Sequence, residues 1–361
     1  MLKFIFIAIA LIHGLIHFMG FAKAFGYGNT TQLTKEISKP AGVFWMLTAW
    51  LFIAVVALFL FKIENWWALG IIAAVVSQVL IFSIWQDAKF GTIANVLVLV
   101  VSLLSMTNVL FERSYKKDVN INLERTRTLP PALLTESDIQ GLPPLVQKYL
   151  RYSGVLNKPK VYNMRVIFEG EMRDKNKDWF PFRSEQFNFF DEPTRLFFRK
   201  GKMFGIVVPG YHRYSDATAT MNIRLFGMFP IVKQSGAVMN KTETVTLFND
   251  MCLMAPATLI DPRITWKTID ATFVEATFAN KGITISAILY FNEQGQLTNF
   301  TSNDRTSVSQ MQTFLFSTPV SEYQTINGIN MMKKGDAVWH YPEGEFVYGK
   351  FLLKAIEYNC P

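Results

Sequence analysis

The chain has 361 residues, half of them hydrophobic and only 18% charged, with a formal net charge of +8 and a mean hydropathy of +0.19. That balance argues for membrane segments, while 32 Phe, 12 Tyr and 8 Trp exclude intrinsic disorder. Two cysteines, Cys252 and Cys360, exclude a disulfide framework and a four-cysteine zinc site.

The apolar excess is concentrated. Residues 1–112 hold 6 of the 36 Lys and Arg and 4 of the 28 Asp and Glu, so residues 113–361 carry +6 of the +8. The sequence splits into a membrane domain over 1–112, a linker over 113–140 and a β-rich domain over 141–361. Four stretches, 4–22, 41–61, 66–85 and 90–111, contain no Asp, Glu, Lys or Arg. Each is close to the roughly 20 residues that a helix needs to cross the hydrocarbon core, so the expectation is a four-helix transmembrane bundle. Lys3 and the small-residue pattern Ala22-Lys-Ala24 also fit a signal peptide, but the run is long and contains His13 and His17. Trp45, Trp50, Trp66, Trp67 and Trp85 fall mostly near helix ends, as interfacial rings do.

Four spans put both termini on one side of a bacterial inner (cytoplasmic) membrane. On that side lie Lys3, Lys62, Arg113, Lys116 and Lys117, against Lys23, Lys35, Lys39 and Lys89 on the other. The small excess tips the termini toward the cytoplasm.

Polar residues within the spans carry more information, because each is costly in hydrocarbon unless it faces protein or water. His13 and His17, at i and i+4, share a helix face beside the small-residue patch Ala10 and Gly14, which lets another helix approach closely. Gln78 and Asn95 lie in the same half of the membrane, with Lys23, Asp87 and Lys89 at that mouth, so a polar pocket opening away from the C-terminal domain is expected. His13, His17, Gln78, Asp87, Lys89 and Asn95 are therefore candidate ligand-binding residues. Interhelical hydrogen bonding accounts for the four within the spans equally well. A proton relay, a headgroup or quinone pocket, or imidazole ligation of metal or haem are the functional readings. No carboxylate lies in the spans to complete a metal shell, so no cofactor or metal is assigned. Asp87 and Lys89 also fit a charged turn between two helices.

Residues 112–140 mix charges of both signs without clear periodicity and read as a linker. Thr135 and Ser137 suggest helix caps, and Pro143-Pro144 opens a short helix stopped by Gly154. From Val161 the period changes to two: Tyr162, Met164, Val166, Phe168 and Met172 alternate with Asn163, Arg165, Glu169 and Glu171, a half-buried strand. Further strands are expected at 179–190, 194–204, 220–226, 264–269, 272–279, 283–292, 297–303, 311–323, 329–340 and 346–358. Turn signals such as Asn280-Lys-Gly282 and Asn327-Gly328 separate them. One helix is expected over 241–254. The fold class is an α+β domain with a strongly curved antiparallel sheet, a half-barrel, and one or two helices. Its Phe and Met residues either fill the core or line a cavity for an apolar ligand. Glu185, Arg195, Arg224, Asp304 and Arg305 are candidate polar anchors within the sheet, solvated strand faces being the alternative. His212 and Asp216 form an acid–base couple only if the chain turns between them, since four residues along a strand span about 13 Å.

Several segments in order carry a resemblance: Leu142-Pro-Pro-Leu-Val-Gln-Lys-Tyr-Leu-Arg-Tyr-Ser-Gly154, Phe168-Glu-Gly-Glu-Met-Arg173, Trp179-Phe-Pro181 followed by Glu185-Gln186, Pro193-Thr-Arg195, and Tyr341-Pro-Glu-Gly-Glu-Phe-Val-Tyr348. Over about 142–358 the chain resembles an uncharacterised bacterial family of domain-of-unknown-function type, some members of which carry a four-span segment. The resemblance implies a fold similar to the lipoprotein-carrier (Lol-type) half-barrel, whose better-known relatives hold acyl chains. It supplies no catalytic residues.

Phosphate-loop, zincin, dithiol and nucleophile-elbow motifs are absent from the sequence, and +6 spread over 249 residues, without a basic cluster, argues against nucleic acid. The expected partners are membrane lipid and an apolar ligand, and the sequence points to no protein partner. The leading reading is a non-enzymatic membrane protein whose β domain binds an apolar or lipid-like ligand. The alternatives are a membrane enzyme or a redox- or proton-linked protein using His13 and His17, and a structural or assembly protein.

Overall fold

The computed structural model describes residues 2–203, 205–308 and 310–361. Its internal contacts define an N-terminal unit ending at Phe111 and a C-terminal unit comprising Glu112–Leu225 and Phe229–Pro361.

The N-terminal unit is built from α1 (Leu2–Phe25), α2 (Lys39–Leu60), α3 (Trp66–Ser83), the short α4 (Trp85–Ala88) and the first part of α5 (Gly91–Arg127). The four longer helices are long and apolar enough to cross a membrane. Ser38 caps α2, its side chain accepting from Ala41 N, with a proline in the first turn where no amide partner is needed. Gly14 shows why the small-residue patch matters: a Cβ there would stand 2.7 Å from Phe52 Cβ, so glycine sets how closely α1 and α2 approach.

Residues 113–127, expected as linker, are helical and continue α5 without a break. Their polar composition hides a one-sided stripe. Tyr115, Val119, Asn122 and Thr126, spaced four, three and four apart, are all buried. Tyr115 stacks on Phe198, with centroids 5.2 Å apart, and Arg125 pairs with Asp191 at 2.9 Å.

After α6 (Glu136–Ile139) and α7 (Pro144–Ser153), the C-terminal unit is a large antiparallel sheet. Thr135 and Asp138 form the capping box of α6, and Gly154 ends α7 in the left-handed region at φ 69°. The strands are β1 (Asn163–Met172), β2 (Phe180–Phe189), β3 (Thr194–Met203), β4 (Ile206–Ser215), β5 (Thr218–Leu225), β6 (Phe229–Ser235), β7 (Ile264–Thr268), β8 (Phe273–Asn280), β9 (Ile283–Phe291), β10 (Leu297–Ser302), β11 (Thr306–Ser307), β12 (Gln312–Thr313), β13 (Leu315–Ser317), β14 (Val320–Ile326), β15 (Ile329–Tyr341) and β16 (Gly344–Tyr358). Phe204, the last residue of the expected strand 194–204, lies outside the described residues.

The sheet order is β6-β5-β4-β3-β2-β1-β16-β15-β13-β10-β9-β8-β7, with β14 also pairing β15 and β11 pairing β12 apart from it. The sheet is open, β6 and β7 being its edges. One helix, α8 (Ala237–Met254), touches β5 and β6 near one edge and β9 and β10 near the other, so the sheet curls round it. The fold class is thus four apolar helices followed by a partly curved antiparallel sheet with helices. Three two-residue hairpins have left-handed residues at both central turn positions, Asp216-Ala217, Lys281-Gly282 and Asn327-Gly328, the geometry that matches strand twist.

The strand expected at 311–323 is three short ones, β12, β13 and β14, and β4, β6 and the two-residue β11 are absent from the alternation pattern. In β4, Pro209-Gly210 interrupts the pattern, yet pairing with β5 begins only at Gly210, so the proline sits where that ladder has ended. In β6, an edge strand, Phe229 and Ile231 are exposed and Pro230 lies at a bulge opposite Arg224.

Candidate functional site

Within the N-terminal unit, polar side chains from three helices meet. His17 Nδ1 donates to the His13 carbonyl oxygen at 2.8 Å, leaving Nε2 to accept from the Ser77 hydroxyl at 2.9 Å. His13 Nε2 donates to Asn95 Oδ1 at 2.9 Å, Asn95 Nδ2 to Gln78 Oε1 at 3.0 Å, and Gln78 Nε2 to Thr92 Oγ1 at 3.1 Å. The structure therefore brings His13, His17, Gln78 and Asn95 into one chain of bonds. Ser77, which sequence reasoning passed over, is the node between the two histidines.

Asp87 and Lys89 take no part in that network. Asp87 closes the loop before α2, accepting from Thr34 N, Thr34 Oγ1 and Lys35 N at 2.8–3.1 Å. These bonds to Thr34 and Lys35 hold its carboxyl below the usual range. Lys89 Nζ lies 5.5 Å from the Phe90 ring centroid.

The C-terminal unit contains a cavity of about 850 Å³ between α8 and the inner face of the sheet, within the roughly 300–1,000 Å³ of sites that hold one small molecule. Residues 242–254 of α8 are buried without exception. Val245, Phe248 and Cys252 belong to the hydrophobic core. Met239, Thr242, Glu243, Thr246, Asn249, Asp250, Leu253 and Met254 line the cavity, recurring at helical spacing. A buried helix thus turns a largely polar stripe toward an internal space, and that stripe is the signal the sequence carried for Glu243, Asn249 and Asp250. Apolar recurrence in 241–254 had pointed only to core.

Across from this stripe, β2, β3 and β4 supply Gln186, Arg195 and His212. Arg195 Nε donates to Asp250 Oδ2 at 2.7 Å, Nη1 to Glu243 Oε2 at 3.2 Å and Nη2 to Gln186 Oε1 at 3.1 Å. Asp250 Oδ2 also accepts from Gln186 Nε2 at 2.7 Å and Asn188 Nδ2 at 3.0 Å. Burial alone would raise the Glu243 pKa. Neighbouring His212 and the charge of Arg195 outweigh it and hold the carboxyl at about 2. His212 Nδ1 lies 3.9 Å from Glu243 Oε1, and burial, only partly offset by Glu243, lowers its pKa. Its acidic neighbour is therefore Glu243. Asp216, beyond β4, pairs instead with Lys281.

The opposite wall is aromatic. Arg305 lies 3.9 Å from the Phe316 centroid and 5.3 Å from that of Trp339, with Nη1 donating to Tyr348 Oη at 2.8 Å. Arg199 lies among Met172, Phe180 and Gly210, where burial pushes its pKa down to about 10. A Cβ on Gly210 would stand 3.2 Å from Arg199 Nε, so glycine makes room for the guanidinium. Asn249 Nδ2 donates to Thr318 Oγ1 at 2.9 Å.

The other expected anchors lie elsewhere. Glu185 pairs with Arg165 at 2.7 Å, both about one-third exposed. Asp304 joins Lys241 to the backbone of Ser286, each at 2.7 Å. Arg224 sits at the β5 bulge and is not in the cavity wall. His340 faces away from the cavity. Its Nε2 lies 2.8 Å from Ser317 Oγ and its Nδ1 3.4 Å from Glu345, but Ser317 is only 3% exposed, too covered for a nucleophile. Among the described residues no group of three or more His, Cys, Asp or Glu is placed to hold a metal ion.

Four helices long and apolar enough to span a membrane, followed by an open curved sheet with a cavity, define the class of protein. Residues 132–351 match the model of a family of unknown function, DUF6544, and the chain belongs to that family. No curated protein matches the chain. Among solved structures it is similar to the LolA superfamily protein NE2245 from Nitrosomonas europaea, at 11% identity and a TM-score of 0.36, over 59% of this chain and 93% of that one.

Proposed function

We propose that the β domain binds a single apolar or lipid-like molecule in the cavity between α8 and the sheet, and that the four helices tether this binding domain to a membrane. The observation that carries the reading is the cavity itself, about 850 Å³, with a mostly apolar wall that includes six Phe and five Met side chains. A cleft of this size that leaves apolar surface uncovered is suited to an apolar occupant. The buried Arg195, Glu243 and Asp250 satisfy one another and hold α8 to the sheet, which makes them a frame for the cavity. The intramembrane histidine network is assigned to helix packing, since each of its side chains finds its partner within the bundle.

Native mass spectrometry of the full chain in a non-ionic detergent tests the proposal. The expected result is a one-to-one adduct of lipid mass that lipid extraction identifies. Bare protein, together with no uptake of an added apolar probe, overturns it.

A further inference from the structure

The cavity is apolar over most of its wall but carries seven basic and three acidic side chains. The acidic ones are largely committed. Asp250 Oδ2 accepts from Arg195, Gln186 and Asn188, Glu243 lies against Arg195 and His212, and Asp174 pairs with Lys177 at 3.3 Å. Among the described residues four of the basic groups form no ion pair, Arg173, Arg199, Lys233 and Arg305; Arg173 donates to the Val347 carbonyl and Lys233 lies on the edge strand β6, which leaves two. The one polar contact of Arg199 is the weak acceptor Met172 Sδ, 3.5 Å from Nη1.

Arg305 is the better placed of the two. Its Cζ lies over the Phe316 ring and its Nη1 is held by the bond to Tyr348, while Nε is covered and without a partner. Nη2 is neither covered nor bonded to protein, so the fork presents a free donor at a cavity wall. A guanidinium held rigid by aromatic stacking loses little freedom on meeting a planar or tetrahedral oxyanion. Arg199 adds a second cation without an ion pair on the sheet wall of the same cavity, with Asp174 acting on it only through its charge. Burying such cations beside Phe and Met is costly unless an anion joins them.

We infer that the cavity's ligand is a single-chain amphiphile with an anionic oxygen headgroup, a carboxylate or a phosphate monoester, anchored by Arg305 and drawn in by Arg199, with its chain along the Phe and Met wall. This rests on the proposed apolar-ligand function and names the ligand class for the same site. The headgroup contact is with Arg305 Nη2, and Arg199 acts through its charge.

The test measures binding of four probes to the full chain in a maltoside detergent by titration calorimetry: palmitate, 1-palmitoyl lysophosphatidic acid, methyl palmitate and monopalmitoyl glycerol. At least one acid is expected to bind roughly tenfold or more tightly than the neutral esters, as a charge-assisted hydrogen bond implies, and which acid it is separates the two headgroups. Arg305→Gln should abolish that preference while leaving ester affinity unchanged, which also shows that the variant is folded. Arg305→Lys should restore part of it, and Arg199→Gln should reduce it a few-fold. Equal affinity for acids and esters in the unaltered protein overturns the headgroup inference and leaves the apolar-ligand reading standing. No binding of any of the four overturns both.

Discussion

Two of the buried polar clusters, one in each unit, are built on opposite plans. In the helical unit, His13, His17, Ser77, Gln78, Thr92 and Asn95 form a network in which each side chain has a partner from the same bundle. In the cavity wall, His212 Nε2, Asn249 Oδ1 and Arg305 Nε are buried without partners, and among the described residues Arg199 and Arg305 form no ion pair. Polar groups in hydrocarbon have no water to fall back on, and the histidine network is saturated accordingly, although Trp45 Nε1, Trp67 Nε1 and Ser102 Oγ of the same bundle are buried without partners. Native interiors leave few buried polar atoms unpaired, so several around one cavity mark a wall shaped for something other than its own packing. Saturation and its absence distinguish the packing cluster from the binding cluster better than residue type does, since histidine stands in both.

The sharpest way to break this comparison is Arg195→Met. Removing the one cation between Asp250 and Glu243 leaves two buried carboxylates, and denaturation of the purified protein should show a loss of about 3–5 kcal/mol. Replacing all three by apolar residues should recover most of it, because no unpaired charge then remains. A loss below about 1 kcal/mol for the single change would mean that the cluster is not the frame described.

Acid should act on the same cluster. The Glu243 carboxyl, ordinarily at 4.5, is held at about 2 in the folded chain. The unfolded state therefore binds the proton more readily, and the stabilisation is present above about pH 4.5 and lost as pH falls toward 2. It amounts to about 3 kcal/mol. The depressed His212 works in the same direction, since protonation in the unfolded chain begins at higher pH. Denaturant midpoints measured from pH 7 downward check this, and Glu243→Gln should flatten the acid limb.

In the helical unit the effects should be smaller. Ser77→Ala cuts the link between the two histidines and should cost about 1 kcal/mol, typical of interhelical hydrogen bonds. The same measurement should leave binding by the β domain unchanged. Least of all, Glu185→Gln removes a half-exposed partner of Arg165 and should cost at most about 1 kcal/mol.

The helices were legible because twenty uncharged residues in a row have few other uses, and most strands because alternation survives wherever one face is buried. The sequence hid β4 because Pro209-Gly210 interrupts its pattern where pairing with β5 has ended, and β6 because its apolar residues are exposed at a sheet edge. It hid the helix at 113–127 because only every third or fourth residue there is buried. Arg195, within a strand, and Arg305, in the turn after β10, were both candidate anchors and line the cavity. Glu185 was an equal candidate and lies outside it, because a period of two does not say which face is inner, and Asp304 is spent in the turn on Lys241 and the Ser286 backbone. Glu243 and Asp250 passed unnoticed, since a polar stripe on an amphipathic helix ordinarily faces water. Only the sheet's curl round α8 puts that stripe inside.

The most direct test of the account is uptake of a neutral apolar fluorophore by the full chain and by Ala337→Phe, a substitution that fills the cavity from β15. The account predicts saturable, one-to-one binding by the unaltered protein and its loss in the variant, with the denaturation midpoint little changed. Binding that persists undiminished in the variant, or no binding by either protein, would contradict it.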